Sequence, residues 1–143
     1  MKSTFFIPFI SLLIAIPFFQ GCSESEDHGW KMAAGPLLTR WAAAVNPENV
    51  WQEYPRPQMA RQEWLNLNGL WDYAIVARDS IPGKFDGRIL VPFPVESALS
   101  GVGKRVEENQ WIWYQKRVKI PPGWNGKNIL LHFEACDWET TLY

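Results

Sequence analysis

The chain has 143 residues, which is enough for one domain and too few for a large multidomain enzyme. Hydrophobic residues make up 47% of the sequence and charged residues 20%, which excludes the disordered class of low hydrophobicity and high charge. A formal net charge of -1 provides no basic face for phosphate groups, so the composition argues against a nucleic-acid partner.

The N-terminus has the pattern of an export signal. Lys2 supplies a positive charge, and the apolar run at 5–19, about 15 residues long, is too short to span a bilayer comfortably. Gly21 directly before Cys22 resembles the lipobox of a bacterial lipoprotein. We therefore predict a lipoprotein signal peptide at 1–21 and lipidation of the Cys22 thiol, with simple secretion as the alternative. This signal predicts that the protein is exported to the bacterial cell envelope, where it is lipid-anchored at the outer membrane or in the periplasm.

The residues after the signal divide into a tether and a lead-in. The predicted flexible tether, 22–36, begins with an acidic, serine-rich stretch that suits a solvated spacer at a membrane. The lead-in runs from Gly29 to about Gln62 and overlaps the end of the tether. It is rich in Pro and Trp without sustained periodicity, and it is predicted to pack across a domain. Within them, 38–45 is predicted to form a short helical turn that ends before Asn46-Pro47.

Apolar residues that alternate with polar ones predict strands in the second half of the chain. The first run places Trp71, Tyr73 and Ile75 on one face, and Gly69 predicts a bend or bulge where this strand enters the sheet. The next apolar run, 88–97, contains two prolines that cannot donate to a strand ladder. It is therefore predicted to be an edge strand or an extended loop.

Three later runs complete the pattern. The run at 111–120 places Ile112 and Tyr114 on one face, and alternation follows again at 128–135 and at 137–143. Several short strands separated by turn signals, without a long amphipathic helix, are typical of an antiparallel β-sandwich or jelly roll. Because the alternation continues to the last residue, we predict an all-β fold that is incomplete at its final strand.

The reactive side chains give little sign of a catalytic or metal site. Cys136 lies in an apolar strand pattern and is predicted to be a buried free thiol, and His132 on the same predicted strand is too distant to activate it. Two histidines far apart in sequence do not indicate a zinc site, and no cofactor is predicted. Asp137 and Glu139 share a predicted strand face about 6.5 to 7 Å apart, but without a pocket they are predicted to be solvated.

Three blocks of sequence carry a family resemblance. They are YPRPQMARQEWLNLNGLWDYAI at 54–75, ILVPFPVESALSGV at 89–102 and WYQKRVKIPPGWNGKNILLHFEACDWETTLY at 113–143. In this order they resemble the sugar-binding domain of glycoside hydrolase family 2, which includes β-galactosidases, β-glucuronidases and β-mannosidases. The resemblance implies a galactose-binding-like jelly roll over 37–143 that associates with β-linked carbohydrate and with the remaining domains of a parent enzyme.

The resemblance also implies where catalysis resides. Members of the family use two glutamates of a separate barrel, about 5 to 5.5 Å apart, as acid/base and nucleophile. No position of this sequence matches their motifs, so no catalytic residue is assigned to this chain. The candidates for carbohydrate contact are Asn109, in the loop before a strand, and Trp111 and Trp113, on the face opposite Ile112. Interdomain packing and core packing are the alternative roles of the two tryptophans.

The sequence therefore implies a noncatalytic carbohydrate-associated N-terminal domain of an exported glycoside hydrolase. Hydrolysis of O-glycosyl bonds would then belong to the full-length parent. Two alternatives stay open at this point, a free-standing carbohydrate-binding lipoprotein and an inert fragment.

Overall fold

The computed structural model describes residues 29–35, 37–54, 56, 58 and 61–143, and its centre is an open antiparallel sheet of three strands. The strands are β1 (Gly69–Ala77), β2 (Gly87–Val91) and β3 (Gln110–Gln115), with β1 between the other two. Helix within the described residues is confined to short 3-10 turns, which include Ala42–Ala44, Ala98–Ser100 and Pro122–Trp124. The all-β prediction is confirmed, whereas the jelly-roll arrangement stays a prediction.

Strand β1 is long enough to pair with both neighbours. Its first half pairs with β2, with Trp71 opposite Ile89, and its second half pairs with β3, with Ile75 opposite Ile112. Directly opposed residues of antiparallel strands have their side chains on the same face. Trp71, Tyr73 and Ile75 therefore share one face with Ile89 and Ile112, as the alternation predicts.

This face of the sheet is covered by the loop that follows β2. Tyr73, Ile89 and Val95 form its buried cluster, and Val95 belongs to the loop. Half-buried apolar side chains from the strands and the loop complete the cluster: Trp71, Ile75, Val91, Val102, Val106 and Ile112. Burial of this much apolar surface is the main stabilising term for the sheet.

The opposite face of the sheet is covered by the lead-in at the end near Leu70 and Leu90. Val50 of the lead-in packs with Leu90 and Phe93, and half-buried Leu70 joins them from β1. The predicted packing of the lead-in across the domain is confirmed. Its 3-10 turn at Ala42–Ala44 also lies inside the predicted turn at 38–45.

The first residues of the lead-in pack against the loop after β2. Gly101 is left-handed, with φ of 83°, and a Cβ there would lie 2.6 Å from the Trp30 ring. The Ala33 N–H donates to the Ala98 carbonyl at 2.9 Å. Both Trp30 and Ala33 fall within the predicted tether of residues 22–36, and Trp30 packs on the cluster around Val50.

The edge of the sheet agrees with the proline pattern. Strand β2 is an edge strand that ends at Val91, directly before Pro92. A proline at that point cannot extend the ladder because it lacks an N–H. Gly69, the partner of Val91 at this end of the pairing, starts β1 with φ of 107°, in agreement with the predicted bend at strand entry.

The final part of the chain differs from the prediction. The strand predicted at 111–120 ends at Gln115, and the strands predicted at 128–135 and 137–143 are not formed in this structure. Every residue from 125 to 143 is exposed, so this segment has neither a strand neighbour nor a covering layer. For the same reason the prediction of a buried Cys136 is wrong, and its thiol is exposed.

Candidate functional site

The turn that enters β3 holds the first of the predicted contact residues. The Asn109 carbonyl accepts a hydrogen bond from the Arg78 N–H at 2.8 Å, just after β1 ends. The Gln110 carboxamide oxygen accepts from the Glu107 N–H at 3.0 Å and closes the turn from the other side. Asn109 is therefore fixed at the corner where β1 ends and β3 begins.

The two predicted tryptophans lie on one face of β3. Trp111 is opposite Val76 and Trp113 is opposite Ala74, and both lie on the face away from Ile112. Side chains two residues apart on a strand are about 6.5 to 7 Å apart along it. The structure thus brings Asn109, Trp111 and Trp113 to one corner of the sheet.

The two indoles at this corner differ in how much of each is free. The Trp113 Nε1 donates to the Ser80 carbonyl at 3.0 Å, and the Tyr143 ring stacks on Trp113 with centroids 5.2 Å apart and 24° between the planes. Trp111 has no such partner within the described residues and is 39% exposed. Trp113 therefore acts in packing, and Trp111 presents the open aromatic surface.

The other face of β3 carries a tyrosine with a perturbed pKa. Burial raises the pKa of Tyr114 to about 12, and the nearby Glu96 carboxylate and Cys136 thiol add to the effect. Tyr114 also meets Trp71 edge to face, with ring centroids 6.5 Å apart. The phenol therefore stays protonated at neutral pH and belongs to the packing of this face.

Lys116, directly after β3, is occupied by backbone carbonyls. Its Nζ donates to the carbonyls of Asn68 at 3.4 Å and Leu70 at 3.3 Å, and it lies 5.6 Å from the centroid of the Trp71 ring. Burial lowers the pKa of Lys116, and the positive charge of Arg88 lowers it further. These contacts hold the first residues of β1 to the end of β3.

The two acidic residues near the end of the chain are open to solvent. Asp137 and Glu139 are both exposed in the segment after β3, as predicted for a solvated pair. Within the part of the chain that the structure describes, no group of three or more His, Cys, Asp or Glu residues is placed to hold a metal ion. The chemistry of the corner is therefore aromatic contact and amide hydrogen bonding.

A second candidate site lies in the lead-in and was missed in the sequence. Trp41 and Trp51 flank a cleft of about 310 Å³ whose apolar lining includes Val50, Phe93 and Leu99. We call it the lead-in cleft. The only signal in the sequence is two tryptophans ten positions apart in a stretch without periodicity, which does not distinguish a cleft from packing.

The predicted lipid anchor is not among the described residues. Cys22 and the signal at 1–21 fall outside the described residues. In the part that is described, no helix combines the length and the apolar character that a membrane crossing requires.

Comparison with protein-family profiles and with curated sequences adds no relative. No protein-family profile matches the chain, and no curated protein sequence matches it significantly. The resemblance to glycoside hydrolase family 2 therefore rests on the three sequence blocks at 54–75, 89–102 and 113–143.

Proposed function

We propose that this chain is the noncatalytic, carbohydrate-associated domain of an exported family 2 glycoside hydrolase. The support is the three blocks in family order, together with a small all-β fold whose central sheet carries an apolar cluster on each face. The export signal pattern and Cys22 support a lipid anchor in the bacterial envelope. In this proposal the rest of the parent enzyme and its β-linked substrate are the partners.

The observation that carries the proposal is the exposed Trp111 indole beside Asn109. An indole face stacks on the apolar C–H face of a sugar ring, and an amide can both donate to and accept from sugar hydroxyls. The Asn109 side chain makes no hydrogen bond within the described residues, so its amide is free for a ligand. Trp113, held by Ser80 and Tyr143, keeps this corner in place.

In this proposal, hydrolysis of O-glycosyl bonds takes place in the barrel of the parent enzyme. Retaining glycosidases need two carboxylates about 5 to 5.5 Å apart on either side of the scissile bond. The part assigned to this chain is to present Trp111 and Asn109 to a glycan or to the neighbouring domain. A free-standing carbohydrate-binding lipoprotein is the second candidate, and the aromatic lead-in cleft favours it.

The test resolves individual tryptophans. The full chain is purified in a detergent without a sugar headgroup, and its indole N–H signals are assigned by NMR from single Trp→Phe variants. We expect β-linked tetrasaccharides to shift the Trp111 signal and to leave exposed Trp138 unshifted. We also expect no release of product from aryl β-glycosides by the chain alone.

Two outcomes contradict the proposal. Hydrolysis by the purified chain would place catalytic groups in it, provided that the activity is lost on Asp137→Asn or Glu139→Gln. A Trp111 signal that no saccharide shifts, combined with a stop codon directly after Tyr143 in the gene, would remove both the contact and the parent enzyme. A continuing reading frame that encodes a barrel would distinguish the first candidate from the free-standing protein.

A further inference from the structure

The lead-in cleft exposes two large aromatic side chains at its rim. Trp41 is 63% exposed and Trp51 is 60% exposed, whereas Ala42, Val50 and Phe93 at its floor are buried. Phe93 lies in that floor, with its ring centroid 5.2 Å from that of Trp51 and the planes at 58°. Two indoles left open to solvent beside a concave apolar floor are characteristic of a binding site.

The polar part of the lining carries no charge. Thr39, Asn46 and Asn49 supply one hydroxyl and two amides, and the lining contains no Asp, Glu, Lys or Arg. The Asn46 Oδ1 accepts from the Glu48 N–H at 2.9 Å, but its NH₂ group has no partner among the described residues, and neither has the Asn49 side chain. With no charged side chain in the lining and the Arg40 guanidinium placed over the Trp41 ring, the cleft favours a neutral ligand with hydroxyl groups.

The two tryptophans are held in place before any ligand binds. The Trp51 carbonyl accepts from the side-chain amides of Asn66 at 2.7 Å and Asn68 at 3.2 Å, with Trp51 at φ of 42°. A left-handed conformation is rare for a bulky residue and persists only when the surroundings fix it. The Arg40 guanidinium lies 4.3 Å from the centre of the Trp41 ring, so it covers one face and leaves the other available.

We propose that the lead-in cleft binds a neutral saccharide, with Trp41 and Trp51 stacking on sugar rings and Asn46 and Asn49 bonding to hydroxyls. The volume of about 310 Å³ lies at the small end of ligand pockets, which fits one or two sugar units.

The site is distinct from the Trp111 corner. The cleft joins the Leu70 end of β1 and Trp111 lies opposite Val76, about 20 Å further along the strand.

The experiment measures binding by calorimetry on the full chain in a detergent without a sugar headgroup. The probes are cellotetraose, xylotetraose and β-1,4-mannotetraose, and a decaproline peptide is included because aromatic grooves also bind polyproline. We expect at least one saccharide to bind, with affinity reduced about tenfold or more in Trp51→Ala and in Trp41→Ala. Asn49→Ala, which leaves the aromatic lining intact, is expected to reduce affinity about threefold or more.

Trp138→Ala is the matched control, since it removes an equally large exposed indole that does not line the cleft, and its affinity should equal that of the original chain. Circular dichroism identifies any variant that fails to fold, and Asn49→Ala then carries the comparison alone. Binding of decaproline only, no binding of any saccharide, or unchanged affinity in folded cleft variants overturns the proposal. If Trp111→Ala removes all saccharide binding and the cleft variants keep it, this inference fails while the proposed function stands.

Discussion

The central sheet and the C-terminal tail (117–143) contain the same type of sequence pattern but differ in structure. Apolar residues alternate at Trp71, Tyr73 and Ile75 and again along the run at 128–135. In the first case they form β1, which has a neighbour on each side and a covering layer on each face. In the second case no strand forms and the side chains are exposed. Alternation thus gives a segment the capacity to pair, and pairing also requires a free edge and cover.

The contacts of the tail with the rest of the protein are weak. Glu134 forms an ion pair with Arg56 at 3.4 Å, and Lys127 forms one with Glu63, all four side chains being about half exposed. Surface ion pairs of this kind contribute about 0 to 1 kcal/mol each. The stacking of Tyr143 on Trp113 is the main aromatic contact that the tail makes with the sheet among the described residues. We therefore expect stability to depend on the sheet and its covering loops.

The largest expected effect comes from truncating a buried side chain of β2. Leu90 is 0% exposed and packs with Val50 and Phe93, so Leu90→Ala removes buried methyl groups and leaves a cavity. We expect a loss of about 3 kcal/mol in the free energy of unfolding, measured by urea denaturation. Leu130→Ala in the tail, where the side chain is 67% exposed, should change it by less than about 0.5 kcal/mol. Equal losses in the two variants would show that the tail is packed as tightly as the sheet.

Gly→Ala substitutions compare backbone packing in the loop over the sheet with that in the tail. Gly101→Ala places a Cβ 2.6 Å from the Trp30 ring at a left-handed position, so we expect a loss of about 2 kcal/mol. Gly123→Ala in the tail meets no atom within 4 Å and should be neutral to within about 0.5 kcal/mol. Thermal unfolding measures both. If Gly101→Ala is neutral, the segment around Trp30 does not pack on the loop as the structure shows.

The sheet was predictable where local pattern and tertiary context agree. The period-2 pattern identified the faces of β1 and β3, because this signal is a property of the segment itself. The two prolines predicted an edge strand or an extended loop at 88–97, and β2 lies at the edge of the sheet. The tail was not predictable because strand formation there depends on a partner that the pattern does not specify. Cys136 was misjudged for that reason, since its expected burial followed from the expected strand.

The candidate sites were also predictable only where strand geometry determines them. The opposite faces of Trp111 and Ile112 follow from strand geometry and were predicted. That Tyr143 covers Trp113 and leaves Trp111 open depends on a contact between residues thirty positions apart, which alternation does not encode. The lead-in cleft depends on the amides of Asn66 and Asn68 reaching the Trp51 carbonyl, and it could not be derived from an aperiodic stretch.

A buried hydroxyl in the loop over the sheet should have an intermediate effect. Ser100 is fully buried, and its Oγ donates to the carbonyl of Ser97 at 2.7 Å or of Val95 at 3.1 Å and accepts from the Val102 N–H at 3.0 Å. Ser100→Ala leaves these buried backbone groups without the hydroxyl, and we expect a loss of about 1 to 2 kcal/mol in urea denaturation. Thr140→Val, which removes an exposed hydroxyl of the tail, should leave stability unchanged. A neutral Ser100→Ala would show that this loop does not depend on the hydroxyl.

The smallest expected effect is a pH dependence that separates Tyr114 of β3 from Tyr143 of the tail. Because the pKa of Tyr114 is about 12 in the folded protein and 10.0 ordinarily, the folded state holds the phenol proton more tightly than the unfolded state. Its contribution is complete below about pH 10 and decreases as the pH rises toward 12, and 40% exposure of Tyr114 keeps it small. Melting temperatures across this range should decrease less steeply in Tyr114→Phe than in the original chain, whereas Tyr143→Phe should keep the original slope. The opposite ranking of the two slopes would mean that the phenol whose pKa is raised by folding lies in the tail and not in β3.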